Sequence, residues 1–339
     1  MASQRELQFM RRALELAANG PERGINPRVG CVIVSSDGTV LGEGWHRGAG
    51  TPHAEIAALT AAGADAARGA TAIVTLEPCN HTGRTGPCVD ALLDAGIARV
   101  VYASTDPGTV SSGGGDRLRA SGVDVEAGVL AADVDAFLGD WMTTATLGRP
   151  LVTLKWASSL DGRAAASDGS SQWITGPESR DDAHLLRSQH DAIAVGSGTV
   201  LADDPSLTAR DAHGELLSNQ PVPIVFGGRE ISDGAKLRQH PLPHIQLDGR
   251  DLAADLHELR ERGIRSLFIE GGPTLASAFV RAGLVDSYVA YLAPTLLGGD
   301  RVALTDLGVR SIDHALRLAL SDVARVGDDV RLTLTPKGQ

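Results

Sequence analysis

The sequence is poor in cysteine, lysine and aromatic residues, and each shortage excludes something. Only Cys31, Cys79 and Cys88 occur in 339 residues. An odd number confined to the first half argues against a disulfide scaffold and for a reduced protein that can use thiols on a metal, with a cytoplasmic location expected. Aromatic residues make up 4%, Lys155, Lys236 and Lys337 are the lysines among 31 basic residues, and the formal net charge is -11. Such a chain has no basic surface interleaved with aromatics, so no nucleic-acid partner is expected. No apolar run approaches the roughly 20 residues of a membrane span. Leu7, Met10, Leu14 and Ala17 recur at helical spacing among charges of both signs, without the apolar core of a signal peptide, so no membrane partner is expected either. What is present is a hydrophobic fraction of 42% and enough length for two α/β domains. A break at Gly148-Arg149-Pro150 divides them into 1–147 and 150–339.

The first domain carries His53-Ala54-Glu55, then Pro78-Cys79, then Pro87-Cys88. One imidazole and two thiols suit Zn²⁺ and leave a fourth tetrahedral position for water, the catalytic rather than the structural pattern. Glu55 stands where a carboxylate can exchange protons with that water, and the set matches the zinc-deaminase signature. Pro52 and the helical composition of 54–62 place His53 and Glu55 in a first helical turn. A strand over 70–76 leads to Cys79, and Pro87-Cys88 opens a helix over 89–95. The stretch 80–87 between the thiols is longer than the signature's two residues and exposes polar side chains. His81 there is either a fourth ligand, making the site structural, or a substrate contact, and Arg84 is suited to a phosphate. Asn26, on a loop before the apolar strand Cys31–Val34, is either a turn former or a base reader. Cys31 reads as core.

The segments Asn26-Pro27-Arg28-Val29-Gly30-Cys31-Val32, His53-Ala54-Glu55 and the run from Thr75 through Glu77-Pro78-Cys79 to Cys88 together resemble the deaminase half of the bifunctional riboflavin-biosynthesis deaminase/reductase family. The resemblance implies a cytidine-deaminase-like three-layer α/β/α domain and a diaminopyrimidinone substrate bearing a ribosylamine 5′-phosphate, contacted by Asn26, His81 and Arg84. Where the family pattern reads Asp-Pro-Asn-Pro, this chain has Asp106-Pro107-Gly108-Thr109.

In the second half, period-two runs predict strands beginning at Leu151 and over 191–195, 222–226, 244–247, 265–269 and 287–293, alternating with helices over 177–189, 252–262 and 273–282. Glu270-Gly271-Gly272-Pro273-Thr274-Leu275 is a double-glycine turn into a proline-started helix. It is read as a ligand cradle or as a tight connection. Ser159-Leu160-Asp161-Gly162-Arg163, Ser171-Gln172-Trp173-Ile174-Thr175, Leu185-Leu186-Arg187 and the run from Gly198 to Arg210 resemble the reductase half of the same family, a dihydrofolate-reductase-like α/β domain.

That match implies NADPH bound by Ser158, Trp173, Thr199, Asp203 and the turn Gly271, Gly272, Pro273, Thr274 and Leu275. It implies substrate bound by Ser171, Arg187, Leu207, Arg210 and Glu270, with the two arginines as phosphate clamps. Pro223 to Arg229 departs from the family pattern, a departure that bears most on NADPH binding. Glu55, Lys155 and Glu270 are the catalytic candidates, Lys155 being either a proton donor or a solvated amine. The expected enzyme deaminates and then reduces small phosphorylated pyrimidines as a homo-oligomer. A nucleic-acid-editing deaminase and a nucleotide-sensing second half are the rival readings.

Overall fold

A computed structural model describes residues 2–21, 26–81, 86–108 and 111–337. The chain divides into two compact units, Met1–Gly148 and Arg149–Gln339.

The first unit begins with α1 (Gln4–Ala17), capped by Ser3 and closed by Glu6 in a capping box. β1 (Gly30–Val34), β2 (Val40–Trp45), α2 (Ala54–Ala62), α3 (Ala64–Ala67), β3 (Thr71–Leu76) and α4 (Cys88–Asp94) follow. After them come β4 (Arg99–Ser104), α5 (Gly114–Ala120), β5 (Asp124–Ala127), α6 (Ala131–Leu138) and α7 (Asp140–Leu147). The sheet runs β2-β1-β3-β4-β5, with β1 antiparallel to both neighbours and β3, β4 and β5 parallel.

Packing explains why every residue of β1 is buried. A Cβ on Gly30 would meet the Ala13 carbonyl of α1 at 2.0 Å, whereas a Cβ on Gly44, which pairs with Cys31, would meet Ala58 of α2. Adjacent strand residues face opposite ways, so α1 and α2 cover opposite faces and the unit has three layers. Gly42 and Gly44 let α2 lie directly on the β2 backbone, and that seating sets the height of the residues at the start of α2.

The second unit contains β6 (Leu151–Ser159), α8 (Pro177–Gln189), β7 (Ala192–Gly196), α9 (Ser197–Asp203), β8 (Val222–Phe226), β9 (Ile245–Leu247), α10 (Leu252–Glu261) and β10 (Ser266–Ile269). It ends with α11 (Pro273–Arg281), β11 (Ser287–Ala293), β12 (Leu318–Val326) and β13 (Asp329–Pro336). Its sheet has the order β12-β13-β11-β6-β10-β7-β8-β9. The run from β11 to β9 is parallel, and β12 and β13 add an antiparallel edge. Along β7, Ala192 and Ala194 enter one apolar cluster and Ile193 and Val195 another, as expected of a strand covered on both faces.

Two readings of the sequence change. The run from Val129 to Thr146, helical by its apolar periodicity at Phe137, Leu138 and Trp141, is split into α6 and α7 at Gly139, whose φ of +46° interrupts the helical backbone. The β12–β13 hairpin was not expected, because β12 is an edge strand with an exposed polar middle and lacks a clean apolar alternation.

Gly44→Ala should place a methyl about 2.4 Å from the Ala58 nitrogen. We expect about 1–3 kcal/mol of overpacking destabilisation. Thermal melting should fall by several degrees and zinc affinity should fall with it, since α2 carries His53; an unchanged melting curve would contradict the close seating of α2.

Candidate active sites

In the first unit three donors converge from two helix starts and one strand end. His53 is the N-cap of α2, Cys88 is the first residue of α4, and Cys79 follows β3. His53 Nδ1 lies 3.2 Å from Cys88 Sγ and 3.6 Å from Cys79 Sγ. All three donor atoms lie within 4.8 Å of one another. Zinc holds thiolates at about 2.3 Å and imidazoles at about 2.0–2.1 Å, so tetrahedral angles require S···N near 3.6 Å. The residues present fit that ion. His81 is half-buried and lies outside the three-donor group. Arg84 lies outside the described residues.

Charge within this group is shared unevenly. The backbone N–H of Cys88 donates to Cys79 Sγ at 3.3 Å. The hydrogen bond from the Cys88 thiol holds Cys79 down to about 4, and the negative sulfur beside it pushes Cys88 upward. Glu55, two residues past His53, is 4% exposed. Burial, with the Cys79 charge nearby, pushes its carboxyl up to about 7.

Asn26 and a residue the sequence reading passed over, His46, support this group from behind. Asn26 Nδ2 lies 3.0 Å from His46 Nε2, His46 Nδ1 lies 3.1 Å from the Pro52 carbonyl, and the His46 ring stands edge-on to His53 with centroids 5.5 Å apart. Burial lowers the affinity of His46 for a proton. A neutral ring that donates through Nδ1 to Pro52 then accepts through Nε2 from the Asn26 amide. The only sequence signal for His46 was a polar residue directly after a strand. Glu77 also went unread: its carboxylate accepts the Asp106 and Gly115 backbone N–H groups at 3.2 and 2.9 Å, fastening these two residues beside Cys79.

In the second unit strand register makes the cluster. β10 pairs with β6 at Ile269↔Leu154, so the next residues on each strand, Glu270 and Lys155, stand side by side. Lys155 Nζ meets Glu270 Oε2 at 3.2 Å, and Arg187 of α8 grips the carboxylate through Nε at 2.5 Å and Nη2 at 3.1 Å. Burial acts to raise the Glu270 carboxyl, but the charges of Arg187 and Lys155 and their hydrogen bonds overcome it and hold it well below the usual carboxylate range. Lys155 is thus a mid-strand, paired ammonium rather than a solvated amine. The ring of Tyr291, unread in the sequence, lies 5.6 Å from it, and the Tyr291 hydroxyl donates to Asp182 at 2.6 Å.

Three adjoining cavities surround the cluster. Ser171, Trp173, Arg187, Leu207, Arg210 and Glu270 line one of about 450 Å³. Gly271, Gly272 and Pro273 join Lys155 and Ser171 in a second of about 340 Å³. Thr274 and Leu275 line a third of about 460 Å³. Thr199 and Asp203 line all three. The double-glycine turn therefore lines cavities as well as connecting β10 to α11. Trp173 is 68% exposed, its ring beneath Arg180 at 4.5 Å. Ser158 is not brought to the group: it is 1% exposed, opposite Leu292 of β11, and lines none of these cavities.

Both units match known proteins. Residues 3–104 match the cytidine and deoxycytidylate deaminase zinc-binding region, and residues 150–332 match the RibD C-terminal domain. The riboflavin biosynthesis protein RibD of Mycobacterium tuberculosis (strain H37Rv) is 46% identical over 312 residues, covering 92% of this chain and 91% of the relative. That of Escherichia coli is 41% identical over 361 residues, covering 96% and 98%. Among solved structures, Acinetobacter baumannii RibD superposes with a TM-score of 0.71 at 38% identity, covering 98% of this chain and 99% of that one. A Thermotoga maritima diaminohydroxyphosphoribosylaminopyrimidine deaminase/5-amino-6-(5-phosphoribosylamino)uracil reductase superposes with a TM-score of 0.62 at 33% identity, covering 98% and 99%. A zinc-type deaminase unit followed by a reductase unit, matched end to end by such relatives, makes this chain a member of the RibD family of riboflavin-biosynthesis proteins.

Proposed function

We propose that the chain catalyses two consecutive steps of riboflavin biosynthesis, with the deaminase assigned to residues 1–147 and the reductase to 150–339. The observation that carries the first assignment is the His53, Cys79 and Cys88 group with a buried Glu55 two residues past His53. The substrate is 2,5-diamino-6-(5-phosphoribosylamino)pyrimidin-4(3H)-one, and its ring amine leaves as ammonia. Zinc held by His53, Cys79 and Cys88 supplies Lewis acidity that makes water a nucleophile at neutral pH. Glu55 takes the proton of the attacking water and returns it to the departing amine. Asn26, through His46, fixes the orientation of the His53 ring and presents an amide to the pyrimidine; His81 and Arg84 serve the ribose phosphate.

In the second unit NADPH supplies the hydride that converts the ribosyl group of 5-amino-6-(5-phosphoribosylamino)uracil to ribityl. The chain's own residues open and hold the sugar. Lys155, ion-paired with Glu270, gives a proton to the nitrogen as the C1′ centre of the open-chain imine is reduced. Arg210, anchored to Thr208 and Gly214, keeps Nη2 for the 5′-phosphate, and Arg187, held by Glu270 and the Thr208 carbonyl, adds its remaining Nη hydrogen. Ser171 and Leu207 bound the substrate side, and the Gly271 to Leu275 turn, with Thr199, Asp203 and Trp173, bounds the cofactor side.

A homo-oligomer is part of the proposal. It is supported by edge strand β12, which leaves Leu320 58% and Val323 55% exposed. Among the described residues no helix is long and apolar enough to cross a membrane. A cytoplasmic location is supported by three unpaired thiols.

Glu55→Gln should lower deamination about 10²–10⁴-fold while metal analysis finds zinc retained, and full activity would contradict the assignment. Lys155→Met should slow reduction of the deaminated intermediate with deamination untouched, read separately by ammonia release and by loss of nicotinamide absorbance; an equal effect on both reactions would argue against it. Glu270→Gln strands two partly buried cations and should destabilise the second unit by about 3 kcal/mol at neutral pH. Because the folded Glu270 titrates below its unfolded value of 4.5, its contribution is complete above that value and is lost as pH falls through the folded one. The difference in melting temperature between wild type and variant should therefore shrink below about pH 4.5, and a gap independent of pH would be inconsistent with the ionised carboxylate.

A further inference from the structure

His184 is used by neither reaction step above, yet it stands one turn of α8 before Arg187 and lines the same 450 Å³ cavity, together with Ser206, Leu207 and Arg210. Leu207 is 3% exposed and takes a φ of +54°, a left-handed backbone that residues with a side chain seldom adopt. Past that turn the chain comes back onto α8. The Arg210 backbone N–H donates to His184 Nδ1 at 3.2 Å, and the Thr208 carbonyl stands 3.1 Å from the same nitrogen.

The two ring nitrogens of His184 have different surroundings. Nδ1 faces two N–H groups, that of the Arg210 backbone and Arg187 Nη1 at 3.4 Å, and the Thr208 carbonyl already accepts from Arg187 Nη1 at 2.9 Å. A proton on Nδ1 would set N–H against both donors, so the neutral ring carries its proton on Nε2. Burial and the Arg187 charge lower its affinity for a second proton, which keeps it neutral at pH 7. No hydrogen bond among the described residues uses Nε2. The ring therefore gives an acceptor to the segment that carries Arg210 and leaves a donor to the cavity. Asp203 and Glu270 also border the neighbouring cavities, whereas His184, Arg187 and Arg210 line this one alone. The end of the cavity that suits an anion is thus the end where His184 stands.

We propose that His184 is a third residue of the phosphate site, its Nε2–H donating to the substrate's 5′-phosphate beside Arg187 and Arg210 while its Nδ1 fixes the Arg210 backbone. The inference rests on the reading of those two arginines as phosphate holders. Glu270, Thr208 and Gly214 occupy most of their N–H groups, and a phosphate with three terminal oxygens can take a further donor.

Steady-state reduction by the full chain of 5-amino-6-(5-phosphoribosylamino)uracil and of its dephosphorylated counterpart tests this in His184→Asn and His184→Gln. An asparagine amide oxygen stands where Nδ1 does and can still accept the Arg210 N–H, but leaves no donor at the position of Nε2; a glutamine amide reaches that position. His184→Asn should melt like wild type and raise KM for the phosphorylated compound about tenfold more than for the dephosphorylated one, the loss of one charge-assisted hydrogen bond. His184→Gln should recover most of that difference. An equal rise in both KM values in His184→Asn would make His184 a prop for the 208–210 segment only and overturn the proposal, as would no rise in either. A wild-type chain that reduces both compounds with the same KM would instead overturn the phosphate reading of Arg187 and Arg210 beneath it.

Discussion

Two thiols and one imidazole held within 4.8 Å of one another are the constraint on which the first unit depends. A thiol or imidazole left to itself would sit in water or in the core. Here the backbone forces them together at places where peptide N–H groups are left unsatisfied: the N-cap of α2, the first residue of α4 and the end of β3. The N–H of Cys88 already donates to Cys79 sulfur, so part of the negative charge is stabilised by backbone. Gly42 and Gly44 seat α2, Asn26 and His46 back the His53 ring, and Glu77 ties the neighbouring loop to the same strand end. Each contact serves the position of a donor atom more than it serves burial.

The second unit solves a related problem with charge instead of metal. A carboxylate with its side chain only 10% exposed is held ionised by a lysine from the neighbouring strand and an arginine from a helix. The parallel register that sets Glu270 beside Lys155 also brings the ends of β7, β8 and β9 to the same edge, where the groove forms. Ligands bind at the carboxyl ends of parallel strands because loops and helix starts there present free backbone N–H groups.

Much of this was legible in the residues. His53, Cys79, Cys88 and Glu55 were readable because metal and proton chemistry admit few residue types, and Pro52 and Pro87 announce the helix starts that carry them. Arg187 and Glu270 were visible through resemblance, but their mutual grip was not, since register between β6 and β10 decides it. Lys155 was ambiguous for the same reason: one strand gives no sign that a carboxylate stands on the next. Ser158 was expected at the cofactor and lies in the core, because a serine on a strand can face either side. His46 and Tyr291 escaped notice because support from behind a reactive group leaves no local pattern. Gly227 and Arg229, where the chain departs from the family pattern, line the wall of the groove, which the sequence did not show.

One chain carries a zinc deaminase and an NADPH reductase that act in that order. The most direct measurement is product analysis by mass spectrometry after incubating zinc-loaded protein with the diaminopyrimidinone ribosylamine phosphate, with and without NADPH. The account predicts ammonia and the deaminated ribosylamino product without the cofactor, and the ribitylamino product with it. Reduction without prior loss of ammonia, or deamination that NADPH never carries further, would contradict it.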